Sequence, residues 1–116
     1  MTIMIVDDNE SIHEIVRDTL ASDASTFVDC RDGSEAVELY SRYHPDWVLM
    51  DIMMEKMDGF AATEAILAQD PFAKIIIITQ HNESAFIERS KQVGARGFVL
   101  KENLFDIEQI IESNQN

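Results

Sequence analysis

Ile3-Met4-Ile5-Val6-Asp7-Asp8 is a run of four apolar residues that stops on two carboxylates. A strand with one wet face alternates apolar and polar residues, and this run does not alternate. Continuous apolar runs of such length mark strands covered by helices on both faces, as in a parallel sheet. Three further runs share the form. Trp47-Val48-Leu49-Met50 stops on Asp51, Ile75-Ile76-Ile77-Ile78 on Thr79, and Phe98-Val99-Leu100 on Lys101. Strands of a parallel sheet all point one way, so these terminal residues collect along a single edge. Open α/β sheets bind ligands just beyond that carboxyl edge, where strand order reverses. The sequence therefore predicts carboxylates, a hydroxyl and an ammonium around one crevice, a set suited to a cation and a phosphoryl group.

Between the runs the pattern turns helical. Ile12, Ile15, Val16, Thr19 and Leu20 follow the helical period, with Asn9 or Ser11 able to cap the helix. Ala21 to Ala24 reads as a turn, and Thr26 to Cys30 as a weaker edge strand with Asp29 exposed. Arg31-Asp32-Gly33-Ser34 leads into a helix with Ala36, Val37, Tyr40 and Tyr43 on one face, ended by His44-Pro45. After Asp51, a loop to Asp58 precedes a helix carrying Phe60, Thr63, Ile66 and Leu67, broken at Asp70-Pro71. A fourth helix runs through Ala85, Phe86, Arg89, Ser90 and Val93 to a glycine stop at Gly94. The last carries Leu104, Ile107, Ile110 and Ile111, and the residues after Ser113 read as a frayed tail. The strand ends lie 44, 28 and 22 residues apart, and the last two gaps each leave room for one crossover helix. Five strand–helix units result, with no repeat, linker or second domain expected.

A chain of 116 residues with 46% apolar and 27% charged content is sized and composed for one folded domain. A net charge of −13 argues against nucleic acid as a direct partner, since phosphate backbones call for a basic stripe. Four apolar residues before Asp7 are too few for a signal sequence or a membrane span, so neither is expected. The lone Cys30 has no partner for an internal disulfide, which fits a reducing cytoplasm, and reads as a small half-buried hydrophobe.

Asp7, Asp8 and Asp51 are expected within a few ångströms of one another. Two like charges ~4 Å apart repel by ~4 kcal/mol at an effective dielectric of 20, so the cluster either takes up protons or recruits a cation. Hard oxygen ligands with gaps for water suit Mg²⁺. Taken singly, Asp7-Asp8 reads equally as a turn and helix cap, and Asp51 as a cap after a strand. The joint pattern with Thr79 and Lys101 is what favours a site, because a lysine supplies a point charge and a threonine one donor at the same level.

The whole chain resembles the receiver domain of bacterial two-component response regulators, in the single-domain layout of its chemotaxis members. The resemblance rests on Val6-Asp7-Asp8, on Asp51-Ile52-Met53-Met54 with Met57-Asp58-Gly59, on Thr79, and on Gly94-Ala95-Arg96-Gly97-Phe98 leading to Lys101. It implies a flavodoxin-like (βα)5 fold, a doubly wound parallel sheet of strand order 2-1-3-4-5, spanning residues 1–116. It also implies that Asp51 is the phosphoacceptor, taking its phosphoryl group from a sensor histidine kinase or phosphotransfer protein. Asp8, Asp51 and the backbone carbonyl of Met53 match the Mg²⁺ ligands, with Asp7 binding mainly through water. Lys101 and Thr79 match the residues that hold phosphoryl oxygens, and Phe98 the aromatic that turns inward when Thr79 moves. Output then passes to a downstream protein target or effector domain.

The sequence departs from the family pattern at three positions. Glu55 replaces a proline after Met54, Gln80 replaces a small residue after Thr79, and Glu102 replaces the proline that carries the usual cis peptide. Gln80 is expected to narrow access to Asp51, and with Met53 to slow water attack. These departures leave open a phosphate-independent adaptor of the same fold. An aspartate-nucleophile phosphatase fits less well, because Met53 stands where that chemistry needs a second carboxylate. His13, His44 and His81 read as surface residues, His81 also as a candidate for lining the approach to the phosphoryl group. Trp47 and most of the Met50, Met53, Met54 and Met57 set read as core filling.

Overall fold

The computed structural model describes residues 1–23, 26–54 and 57–114. Five parallel strands, β1 (Thr2–Val6), β2 (Thr26–Cys30), β3 (Trp47–Asp51), β4 (Ile75–Thr79) and β5 (Gly97–Leu100), form one sheet of order β2-β1-β3-β4-β5. Helices α1 (Glu10–Thr19), α2 (Gly33–Tyr43), α3 (Gly59–Gln69), α4 (Ser84–Val93) and α5 (Asp106–Ser113) alternate with them. This is the flavodoxin-like doubly wound architecture expected from the apolar runs. Order reverses at β1 and β3, which pair directly, Val6 opposite Met50.

The unbroken runs have a physical reason visible on the two faces. Met4, Val6, Val48, Met50, Ile75 and Ile77 pack with Ala36, Tyr40, Phe60, Ala62 and Ile66 of α2 and α3. Their alternates Ile3, Ile5, Trp47, Leu49, Ile76 and Ile78 pack with Ile12, Val16, Leu20, Ile107 and Ile111 of the α1 and α5 side. Every position of β3 and β4 is therefore buried, whichever way its side chain points. Each fully buried aliphatic side chain contributes ~1.5–3 kcal/mol of transfer free energy, so the central strands hold the sheet rigid beneath its carboxyl edge.

Caps set where the helices begin. Asn9 accepts from the Ser11 N–H, Asp32 from Glu35 and Asp58 from Ala61, each within 2.9 Å. Of the two candidates for α1, Asn9 is thus the cap. Gly59 opens α3 pressed against β3; a β-carbon there would sit 2.2 Å from the Asp51 carbonyl oxygen. Gly94 ends α4 at φ 97°, in the left-handed region that glycine enters without strain. α4 differs from α3: Glu83 makes no side-chain cap bond, and Ser90 is its one buried residue.

Several expectations are corrected. His13 is fully buried rather than a surface residue. Cys30 is fully rather than half buried; burial pushes its thiol up to about 11, and its Sγ–H donates to the Asp32 carbonyl at 3.1 Å. Ile15 and Tyr43 keep the helical period but are 47% and 51% exposed, because α1 and α2 meet the sheet over narrower stripes than the periodicity implied. Met53 is exposed, while Met50 is core and Met54 and Met57 pack at its margin. Leu104 is buried but precedes α5, in the turn after a short 3-10 segment, Lys101–Asn103. Trp47 is core as expected, with the Lys74 ammonium 4.9 Å above its ring. Ala24 and Glu55 lie outside the described residues. No helix among the described residues is long and apolar enough to cross a membrane.

Candidate functional site

Asp7 follows β1 directly, and its N–H still donates to the Cys30 carbonyl at 3.1 Å, so the ladder carries it one residue past the strand. Its side chain is fully buried, and Oδ1 accepts from the Asn9 N–H at 2.8 Å. Asp8 faces solvent. Asp51 is the last residue of β3, opposite Ile78, and only 3% exposed. One oxygen from each of Asp7, Asp8 and Asp51 lies within 4.8 Å of the others. The three acids expected to meet do meet.

Two residues of the neighbouring strands complete the edge. Thr79 ends β4, fully buried, and its Oγ1 accepts from the His81 N–H at 3.1 Å. That bond leaves the hydroxyl hydrogen to donate elsewhere. Lys101 follows β5, and its ammonium lies 2.8 Å from Asp7 Oδ2 and 3.5 Å from Asp51 Oδ1. Asp7 Oδ2 receives no aligned hydrogen bond, so it meets the ammonium as an ion pair only. A cavity of about 150 Å³ opens over this edge, lined by Asp8, Asp51, Thr79 and Lys101 with Met53, Gln80 and His81 at its rim.

Burial drives the electrostatics. It pushes the Asp51 carboxyl up to about 6, the Asp7 charge adds to that, and Lys101 and the Met53 N–H partly offset both. Two buried carboxylates, with the exposed Asp8 beside them, share one ammonium and are under-neutralised, an imbalance that a hard divalent cation relieves. The donor set, carboxylate oxygens with one lacking an aligned donor, fits such an ion.

Some expected members are placed differently. The Met53 N–H points to Asp51 Oδ1 at 3.4 Å, while its side chain is 58% exposed and stands at the cavity rim. Gln80 lines the cavity, as its position after Thr79 predicted. His81 lines it too; its ring lies 5.4 Å from that of Phe86 and its Nδ1 3.7 Å from Glu83. Phe98 is not among the lining residues. It sits half-buried in β5 opposite Ile77, packed on the α2–α3 side of the core. The Lys101–Glu102 peptide is trans, as are all peptide bonds among the described residues.

One residue near the site escaped sequence reasoning. His13 of α1 sits under the edge with Nε2 2.8 Å from the Asp7 carbonyl oxygen and Nδ1 2.7 Å from Asp29 Oδ1. Arg17 pairs with the other Asp29 oxygen. Burial alone would raise the Asp29 carboxyl, but the hydrogen bonds from His13 and Arg17 outweigh it and hold it below the ordinary carboxylate range. The alternating Asp29 on β2 was the available signal, since an acid at that level of an edge strand calls for a cationic partner on the adjoining helix.

Comparison with known proteins agrees with this geometry. Residues 3–114 match the family described as response regulator receiver domain. The chemotaxis protein CheY of Bacillus subtilis is 32% identical over 112 residues, covering 96% of this chain and 92% of that protein. The transcriptional regulatory protein DegU of Brevibacillus brevis is 35% identical over 113 residues, covering 96% of this chain but 47% of that protein. The chain thus spans about half the length of one such relative and nearly all of another. Among solved structures, the CheX–CheY–BeF3–Mg complex from Borrelia burgdorferi superposes with a TM-score of 0.89 at 27% identity, over 97% of this chain and 87% of that one.

Proposed function

This chain belongs to the response regulator receiver domain family of two-component signalling, and we propose that it is switched by a phosphoryl group accepted on Asp51. The observation that carries this reading is the convergence of Asp51, Asp8, Thr79 and Lys101 on one cavity of about 150 Å³. The donor is a phosphohistidine of a sensor kinase or phosphotransfer protein. As an Asp51 carboxylate oxygen bonds to phosphorus, the phosphorus–nitrogen bond breaks and the histidine nitrogen leaves with the electron pair. Positioning and charge neutralisation do most of the work in such transfers.

Each residue has a part. Asp51 ends a strand buried on both faces, so its carboxylate is held rigidly in line for attack. Lys101 is close enough to turn from Asp7 toward an arriving phosphoryl oxygen, and Thr79 has a hydroxyl hydrogen to offer another. Asp8, Asp51 and the Met53 carbonyl would hold Mg²⁺, with Asp7 acting through water. When bound, that ion supplies neutralisation of the carboxylates and of the charge on the transferring oxygens.

The switch follows from differential contact. The acyl phosphate offers bonds to Thr79 and Lys101 that the free carboxylate does not, and a few kcal/mol is enough to shift a two-state population. Thr79 sits two residues upstream of His81 and five before α4, and Phe98 on the neighbouring strand is the aromatic positioned to follow its movement. The output is contact with a downstream protein or effector domain through α4, β5 and α5. The chain works as a phosphoacceptor rather than a conventional enzyme, although it assists its own phosphorylation and dephosphorylation. Residues 1–116 act as one receiver unit in the cytoplasm, with no direct contact to nucleic acid or membrane, in keeping with the net charge of −13.

Intact mass after treatment with acetyl phosphate and Mg²⁺ tests the reading, with Asp51→Asn as control. One phosphoryl group gained by the wild type and none by the variant is expected. Equal gain in both removes Asp51 from its role, and no gain in the wild type favours a phosphate-independent adaptor.

A further inference from the structure

We infer that His13 is a positioning residue for the cation site, a two-point clasp that fixes the Asp7 peptide at the sheet edge. The inference rests on the reading of the acidic cluster as a Mg²⁺ site and extends it to a residue outside the cavity lining.

The ring's two neighbours are both acceptors. The Asp7 carbonyl, 2.8 Å from Nε2, only accepts, so Nε2 must carry a hydrogen. Asp29 Oδ1, 2.7 Å from Nδ1, belongs to a carboxylate whose other oxygen is paired with the Arg17 guanidinium. A carboxylate bound to arginine is an acceptor as well, so both ring nitrogens of this fully buried side chain face acceptors. A buried polar ring persists only with partners on its polar atoms, and here each nitrogen has one.

Its location gives this arrangement a purpose. The ring ties three elements at one point: α1 through its own backbone, edge strand β2 through Asp29, and the residue after β1 through the Asp7 carbonyl. That carbonyl belongs to the peptide joining Asp7 to Asp8, so the clasp fixes the orientation from which both carboxylates project. Lys101 meets the Asp7 side chain at 2.8 Å while His13 meets the Asp7 main chain. Lys101 and His13 therefore hold Asp7 from opposite ends, one at the side chain and one at the main chain. Groups that orient ligands in this way typically govern metal affinity by 10–100-fold.

Two measurements test the inference. In the wild-type protein, ¹⁵N-detected spectra of the His13 ring are expected to show Nε2 carrying a hydrogen; a bare Nε2 overturns the clasp on the Asp7 carbonyl, whether or not metal is present. Mg²⁺ affinity, read by calorimetry and by amide shifts of Asp7 and Asp8, is expected to weaken about tenfold in His13→Gln. His13→Arg, whose guanidinium can serve both acceptors, is expected to return within about threefold of wild type. The rate of phosphorylation at saturating Mg²⁺ is expected to stay near wild type in His13→Gln, a split that general loss of structure does not produce. Unchanged Mg²⁺ affinity in a folded His13→Gln protein overturns the inference. If that variant does not fold, Asp29→Asn decides on the same readout, because it removes the clasp's outer anchor from a half-exposed position. Absence of Mg²⁺ binding by the wild type itself would instead count against the cation-site reading, leaving the ring spectra to judge His13.

Discussion

Lys101 stands nearer to Asp7 than to Asp51, 2.8 Å against 3.5 Å, so its ammonium is committed mainly to the acid after β1 rather than to the proposed phosphoacceptor. Asp7 is fully buried and the lysine side chain is 13% exposed, which makes this a screened-out, low-dielectric pair rather than a surface ion pair.

Lys101→Met tests that commitment. Removing one partner of a buried pair leaves an uncompensated carboxylate, and breaking such pairs costs roughly 3–5 kcal/mol. Urea denaturation in EDTA is expected to show a loss near the lower end of that range, because Lys101 is not fully enclosed. Saturating Mg²⁺ should restore much of it, since the ion replaces the missing charge. Phosphorylation by acetyl phosphate should slow by at least about tenfold, as one group stabilising the phosphoryl oxygens is gone.

The raised Asp51 carboxyl sets a pH dependence whose sign can be stated. In the metal-free fold it titrates at about 6 against 3.8 ordinarily. Between those values the folded chain retains a proton that the unfolded chain has released, so this group favours the fold as pH falls from 6 toward 3.8 and disfavours it above 6. Metal-free stability is expected to gain from this group on going from pH 7 to pH 5, and Asp51→Asn should remove that gain. Mg²⁺ affinity moves oppositely, falling up to about tenfold per pH unit below 6 as the proton competes with the ion. Denaturation and calorimetry at the two pH values check both.

Gly59→Ala is expected to be more damaging than its conservative appearance suggests. The added carbon would meet the Asp51 carbonyl oxygen at 2.2 Å, backbone against backbone, so either α3 or the end of β3 must move. Overpacking of this kind costs about 1–3 kcal/mol. Loss of phosphorylation larger than the loss of stability accounts for would show that the shift reaches the Asp51 carboxylate. Gly94→Ala provides the contrast: strained at φ 97°, but far from the carboxyl edge, it should cost stability and leave phosphorylation unchanged.

Gln80→Ala bears on the lifetime of the acyl phosphate. Gln80 lines the cavity beside Met53 and His81, a position from which it would limit the approach of water to phosphorus on Asp51. Decay of the aspartyl phosphate after acetyl phosphate is removed should quicken about threefold or more, equivalent to ~0.7 kcal/mol of barrier. An unchanged lifetime shows that Gln80 does not gate water.

The fold was legible in the chain for a definite reason. Runs such as Ile75–Ile78 can be continuous only where both faces are covered, and that constraint alone carries a parallel sheet and the collection of Asp7, Asp51, Thr79 and Lys101 at one edge. Residues whose environment depends on distant partners were less readable. His13 looked polar and exposed because its partner Asp29 lies 16 residues away and across the α1–β2 gap. Ile15 follows the same helical period as Ile12 and Val16 yet faces outward, since periodicity gives a face but not its width. Met53 seemed core by its neighbours and proved a rim residue, because the chain leaves the sheet at Asp51.

The uneven anchoring of the helices has a mechanical consequence. α4 begins without a side-chain cap and embeds a single residue, Ser90, while α3 beside it buries five. Segments with few enclosed contacts open at a small fraction of the global unfolding free energy. Under the proposed phosphorylation, a shift at the carboxyl end of β4 would meet least resistance at α4, making that helix the compliant lever of the domain and the sheet its fulcrum.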